Sequence, residues 1–192
     1  MELNERAWAK SLAARLGGDL SGYGKNESTI AVTDGKKLPY KCEIYEYSGD
    51  DKQVPDVSKY ETDLLVSDKW SDGRWVPRVV VECKLAITTH DTLTYSAKAA
   101  THKHVHPYLR YGILVGDLKN QALPGRLVKH GAYFDFMLSW KEQDPSSEEW
   151  QHLCDLLRQE VDASRELQEM FTTNRSSQRK RYQSLHRKLV LK

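Results

Sequence analysis

Apolar and polar residues recur along this chain in two rhythms, and the switches between them mark its elements. From Glu5 to Leu16 the residues Ala9, Leu12, Ala13 and Leu16 fall at three- and four-residue steps, which predicts a short amphipathic helix ended by Gly17-Gly18. Turn formers and polar residues fill Gly22 to Pro39, and Cys42, Ile44 and Tyr45 then suggest a strand over Cys42 to Tyr47. Two apolar runs, Thr62 to Val66 and Val76 to Leu85, flank Asp72-Gly73, a pair that supplies the positive backbone angles of a tight hairpin turn. Asp91 to about His104 is rich in Ala and Leu and reads as a helix, and Tyr108 to Val115 is an apolar strand closed by Gly116-Asp117. A strand, a helix and a strand in that order suit a parallel pair joined by a right-handed crossover.

Beyond Asp117 the chain reads as loop, then as an aromatic-rich strand over Ala132 to Trp140. Pro145 and Ser146-Ser147 introduce a final helix. Its residues Trp150, Leu153, Leu157, Leu167, Met170 and Phe171 form an apolar stripe, either core or a contact with a second copy. The fold expected from these elements is α/β, a central mixed sheet of about five strands flanked by helices. Residues 1–145 form the core in this reading, and 146–192 a helical extension that belongs to the same domain or to a dimer contact.

Composition narrows the function classes. No apolar run approaches the roughly 20 residues of a membrane helix, and Met1 to Lys10 lacks the apolar stretch of a signal peptide, so a soluble, cytoplasmic protein is expected. Cys42, Cys83 and Cys154 are odd in number and far apart, which suggests neither a disulfide framework nor structural zinc. The net charge is only +2, but it is unevenly spread. Glu142 to Glu169 is mainly acidic, whereas Arg175, Arg179, Lys180, Arg181, Arg187, Lys188 and Lys192 form a tail without acids. Such a tail is either a solvated helix end or a contact for phosphates, with Arg179, Lys180 and Arg181 as the candidates.

The hairpin carries the chemistry. With Asp72 and Gly73 as the two turn residues, facing positions sum to 145, which sets Asp63 opposite Glu82. On the second strand Val80, Glu82 and Lys84 share one face and Val79, Val81, Cys83 and Leu85 the other. Facing carboxylates destabilise a sheet unless a positive charge lies between them. Magnesium suits that role, because it takes hard oxygen ligands from one or two carboxylates and completes its shell with water and substrate phosphate. Lys84 projects beside Glu82, where its ammonium could orient an attacking water and offset charge on phosphorus oxygens.

The pattern of Asp63 and Glu82-Cys83-Lys84 on a hairpin followed by a helix and a strand resembles the PD-(D/E)XK, or restriction-endonuclease-like, nuclease superfamily. The resemblance spans roughly Tyr60 to Asp117. It implies that Asp63 and Glu82 hold magnesium, with manganese able to substitute, that Lys84 assists the attacking water, and that the core is restriction-endonuclease-like. A literal Pro55-Asp56 lies upstream, but Val57-Ser58-Lys59 makes a poor buried strand and the turn register does not bring Asp56 opposite Glu82, so Asp63 is preferred.

Members of the superfamily often add an acid from the first helix, for which Glu5 is the first candidate and Glu27 the second. Tyr95, Lys98 and His102 fall on one side of the helix after the motif and are candidate phosphate contacts. His102, His104 and His106 do not make a zinc site, since on a helix only the first and last share a face and no cysteine joins them. The function implied is a magnesium-dependent endodeoxyribonuclease acting on double-stranded DNA as a homodimer, most like a type II restriction endonuclease. A junction-resolving, repair or other defence nuclease of the same fold, or a non-catalytic DNA-binding module using Trp70 and Trp75, is the alternative.

Overall fold

The structure, a computed structural model, describes residues 4–119, 122–173, 184–185 and 189–191. The element order is α1 (Glu5–Leu20), β1 (Thr29–Tyr47), β2 (Gln53–Lys69), β3 (Trp75–Lys84), α2 (Thr89–Val105), β4 (Arg110–Val115), α3 (Gly125–His130), β5 (Phe136–Ser139) and α4 (Ser147–Thr173), with a 3-10 turn at Ser21–Tyr23. The five strands form one mixed sheet in the order β1-β2-β3-β4-β5. The first three are antiparallel, and β3, β4 and β5 run parallel, as the crossover pattern requires.

Two apolar layers cover the sheet. On one face α1 and α4 bury Trp8, Leu12, Leu16, Trp150, Leu153 and Leu157 against Leu64, Val66, Val79 and Val81. On the other, α2 and α3 contribute Ala99 and Leu127 against Leu65, Val80, Tyr111, Ile113 and Val115. Helix α4 is therefore part of this core over its first half, while Leu167 and Met170 are half-buried and Phe171 is exposed. No helix among the described residues is long and apolar enough to cross a membrane.

Several expectations about the elements need correction. Helix α1 passes through Gly17-Gly18 to Leu20, because Leu20 extends the buried stripe and the Asp19 carboxylate accepts the indole N–H of Trp150 at 2.7 Å. The polar stretch before Pro39 is not loop from Thr29 onward but the first part of a 19-residue edge strand, whose buried anchors Ile30 and Leu38 are too far apart to show an alternation. Lysines such as Lys36 and Lys37 are what an exposed edge favours. Helix α2 starts at Thr89 because Thr88 and Asp91 form a reciprocal capping box. The region read as loop after Asp117 contains α3, held by buried Leu127.

The hairpin register is reached by an unexpected route. Trp70 and Arg74 close a three-residue loop, Ser71-Asp72-Gly73, in which Gly73 takes a positive φ of 88°. Lys69 then pairs with Trp75 and Ser67 with Pro77, one residue out of the expected register. Arg78 is an extra residue in β3, a bulge, after which Val66 faces Val79 and Leu64 faces Val81, as the sum of 145 requires. Beyond Lys36 and Thr62, β1 and β2 continue as a two-stranded ribbon whose outer residues are mostly exposed on both faces.

Candidate active site

Strand β3 ends in Glu82, Cys83 and Lys84 beside the start of α2, at the carboxyl end of the parallel strands, where open α/β sheets place their ligands. The β2–β3 ladder stops at Leu64 and Val81. In its place the Asp63 carboxylate accepts the backbone N–H of Cys83 at 2.8 Å, which pins this acid against the strand carrying Glu82.

Glu82 is fully buried. Its Oε1 accepts from the Lys98 ammonium at 2.8 Å and from the Tyr111 hydroxyl, whereas Oε2 is buried with no hydrogen-bond partner. Burial is the largest influence on this carboxyl; the Lys98 charge opposes it and the Asp63 charge reinforces it, and the pKa is pushed up to about 7. The Tyr111 hydroxyl is itself pushed well up, by burial first and then by the Glu82 charge, so it acts as a donor. Burial also raises the Cys83 thiol, which rules that side chain out as a ready nucleophile.

Lys84 takes a separate partner. Its Nζ lies 2.8 Å from Glu5 Oε2 on α1 and 4.8 Å from the ring centroid of Tyr95. Glu5 also accepts the backbone N–H of Leu85 at 3.1 Å. Partial burial lowers the Lys84 pKa, but the bonds to Glu5 and Tyr95 outweigh it and hold it well above the usual lysine range. Lys84 is thus a fixed ammonium at neutral pH, suited to donating to an oxygen and not to accepting a proton.

The expected site residues therefore come together unequally. Asp63, Glu82, Lys84 and the first-helix acid Glu5 converge on one end of the sheet. Glu27 lies in the turn before β1 with a positive φ. Asp56 is exposed on the ribbon opposite Glu43. The stripe Tyr95, Lys98 and His102 runs along the sheet, but it meets protein groups. Tyr95 flanks Lys84, and Lys98 holds Glu82. His102 is fully buried, donates from Nδ1 to the Pro39 carbonyl at 2.9 Å and stacks near Tyr111, so a phosphate at the surface does not reach it. Burial first, then neighbouring positive charge, lowers its pKa to about 4 and keeps it neutral. Arg179, Lys180 and Arg181 lie outside the described residues.

Tyr111 joins the candidate site without having been singled out from the sequence. It pairs with Val80 in the parallel ladder and leans toward Glu82 on the same face. Its one trace in the sequence is a polar handle inside the apolar run Tyr108 to Val115.

Among the described residues no cluster of three or more His, Cys, Asp and Glu side chains is poised to hold a metal ion. Asp63 and Glu82 nonetheless fit a magnesium ion, which needs only one or two carboxylates from the protein. The bare, buried Oε2 of Glu82 is the atom such an ion would satisfy.

A pH effect on stability follows from Glu82. Between the ordinary glutamate value of 4.5 and about 7, the folded protein keeps a proton that the unfolded chain releases. Its contribution to stability therefore falls as pH rises through that window and is level above it. Thermal unfolding in chelator is expected to show the parent losing stability relative to Glu82→Gln between pH 5 and pH 8, while the buried neutral His102 acts in the opposite direction in both proteins. An identical change in the two proteins would place the titration elsewhere.

No model of a known protein family matches this chain, and no curated protein matches it.

Proposed function

We propose that this chain is a magnesium-dependent endonuclease that hydrolyses phosphodiester bonds of double-stranded DNA. The observation that carries the reading is the pairing of Asp63, pinned to Cys83, with a buried Glu82 that has one bare oxygen, two residues from a lysine kept protonated. Asp63 and Glu82 would hold the ion, with manganese able to take its place, and the ion would supply positive charge that offsets the oxygens of the attacked phosphodiester.

The chain's own groups do the rest. Lys84 presents N–H donors to a phosphate oxygen or to an attacking water, and Glu5 and Tyr95 fix the direction of its head group. Tyr111 donates to Glu82 and keeps that carboxylate from rotating. Preorganised donors of this kind need no rearrangement as charge develops on the phosphorus oxygens.

The finer reading is a restriction-endonuclease-like core and, within that superfamily, a sequence-specific type II restriction endonuclease. Cutting both strands needs two such sites, so a homodimer is part of this reading. The outer part of the α4 stripe, Leu167, Met170 and exposed Phe171, is the apolar surface left for it on that helix.

The test is incubation of plasmid and phage DNA with magnesium or with chelator, comparing the parent chain with Asp63→Ala and Lys84→Ala. Discrete fragments that need magnesium and disappear in both variants are expected. Nicking or smearing would favour a repair, junction-resolving or other defence nuclease. A parent that cuts nothing yet shifts DNA on a gel would sink the enzymatic reading in favour of a binding module.

A further inference from the structure

The Lys98 ammonium sits against Glu82 and against the strand that carries Asp63. It lies 2.8 Å from Glu82 Oε1 and donates to the Glu61 carbonyl at 2.6 Å, two residues before Asp63. It also lies 5.9 Å and 5.7 Å from the ring centroids of Tyr60 and Tyr95. A carboxylate this deeply buried, beside a second one, needs a counter-charge even without a metal, and Lys98 supplies it.

We propose that Lys98 is the resident cation of the site, held by Glu82 in the metal-free protein and handed to a substrate phosphate, so that divalent-ion binding and DNA binding are coupled through it. This inference rests on the nuclease reading above. Three features support a transfer over a fixed prop. Lysine carries a compact charge on a flexible four-carbon stem, so its head group can swing between anions without moving the backbone of α2. The side chain is 14% exposed whereas its partner Glu82 is 1% exposed, so Lys98 is the member of the pair with access to solvent. The rings of Tyr60 and Tyr95 attract a cation over a range of positions and would keep the ammonium stabilised along that path.

The electrostatics set the sign of the coupling. A divalent ion that approaches Glu82 while Lys98 is bound there meets a like charge at close range, which weakens its binding. Once a phosphate draws Lys98 away, Oε1 keeps only the neutral Tyr111 hydroxyl and the like-charge repulsion is relieved. Each ligand therefore strengthens the other, by the same factor in both directions.

The experiment is calorimetric titration of Mn2+ into the full chain, alone and in the presence of a short DNA duplex, with folding of each variant checked by circular dichroism. Lys98→Met is expected to tighten Mn2+ binding without DNA by about tenfold and to abolish most of the further tightening that DNA brings, within the usual range of coupling between sites. Lys98→Arg, which keeps the charge, is expected to remain close to the parent. Tyr111→Phe removes the other hydrogen bond to the same oxygen without changing charge, and it is expected not to tighten Mn2+. Unchanged or weaker Mn2+ binding in Lys98→Met would overturn the inference and leave Lys98 as a prop for Glu82, with the nuclease reading intact. Mn2+ binding that is absent, or indifferent to Asp63→Asn and Glu82→Gln, would overturn both.

Discussion

Replacing Glu82 with glutamine is expected to lower magnesium-dependent cleavage by about a thousandfold or more while leaving the protein at least as stable at neutral pH. Removal of one electrostatic element of a preorganised site typically costs about 10²–10³ in rate. On the proposed reading the same change would also weaken the hold on the ion, because Oε2 is a buried oxygen with no hydrogen-bond partner. Stability should move the other way, since burial makes the Glu82 charge unfavourable and pushes its pKa up to about 7. Glutamine fills the same space, still offers an oxygen to Lys98 and Tyr111, and carries no charge to desolvate. Single-turnover cleavage beside thermal melts at pH 8 reads both arms. A glutamine variant that cuts within tenfold of the parent would remove Glu82 from the chemistry, and one that melts far below it would make Glu82 a structural counter-ion for Lys98.

The second large effect is on the fold. Asp68→Ala should destabilise the protein by about 3–5 kcal/mol, the penalty of leaving a buried charge without its partner. Asp68 is 3% exposed and is held by Arg78 at 2.7 Å and by Arg165 at 2.6 Å. Removing it strands two guanidiniums, at 6% and 12% exposure, between the sheet and α4. Arg78 also donates to Gln168 at 2.7 Å, and Arg165 to Asp162 and to the Tyr23 carbonyl. One carboxylate thus ties β2, β3, α4 and the turn after α1. For a chain of this size the loss corresponds to a fall of about 10 °C or more in Tm. Urea unfolding of the variant checks it, and a loss under 1 kcal/mol would mean that water takes over the role of Asp68.

The parts of the fold legible in the sequence are those whose apolar residues keep a regular period. Val79 to Val81, Tyr111 to Val115 and the α1 stripe are buried where their spacing puts them, and strand, helix, strand correctly implied a parallel pair. Strand β1 was hidden because it is an edge strand with two buried anchors eight residues apart. The candidate site on β2 and β3 was reached from the sequence only because the extra loop residue and the bulge at Arg78 cancel, which restores the register assumed for a two-residue turn. Across the crossover it was not. The shift that sets Tyr111 against Val80, and the rotation of α2 that turns Lys98 to Glu82 and His102 inward to Pro39, depend on packing between layers, which no local period records. The tightness of that packing is visible at Gly112, where an added β-carbon would collide with the Phe136 ring.

The three-residue loop and the bulge at Arg78 each displace the hairpin by one position, and the two displacements cancel before the acids are reached. Because a one-residue slip turns every side chain of a strand to the opposite layer, the loop cannot change length by itself without carrying Glu82 and Lys84 to the α1 and α4 side. Arg78 is therefore both spacer and anchor. Its presence in the chain sets the phase of Glu82 four residues on, and its guanidinium fixes that phase by binding Asp68. A neutral substitution at 78 would weaken the lock and keep the alignment, whereas a deletion there would lose both, so the outer end of the hairpin determines which layer receives the Glu82 and Lys84 side chains.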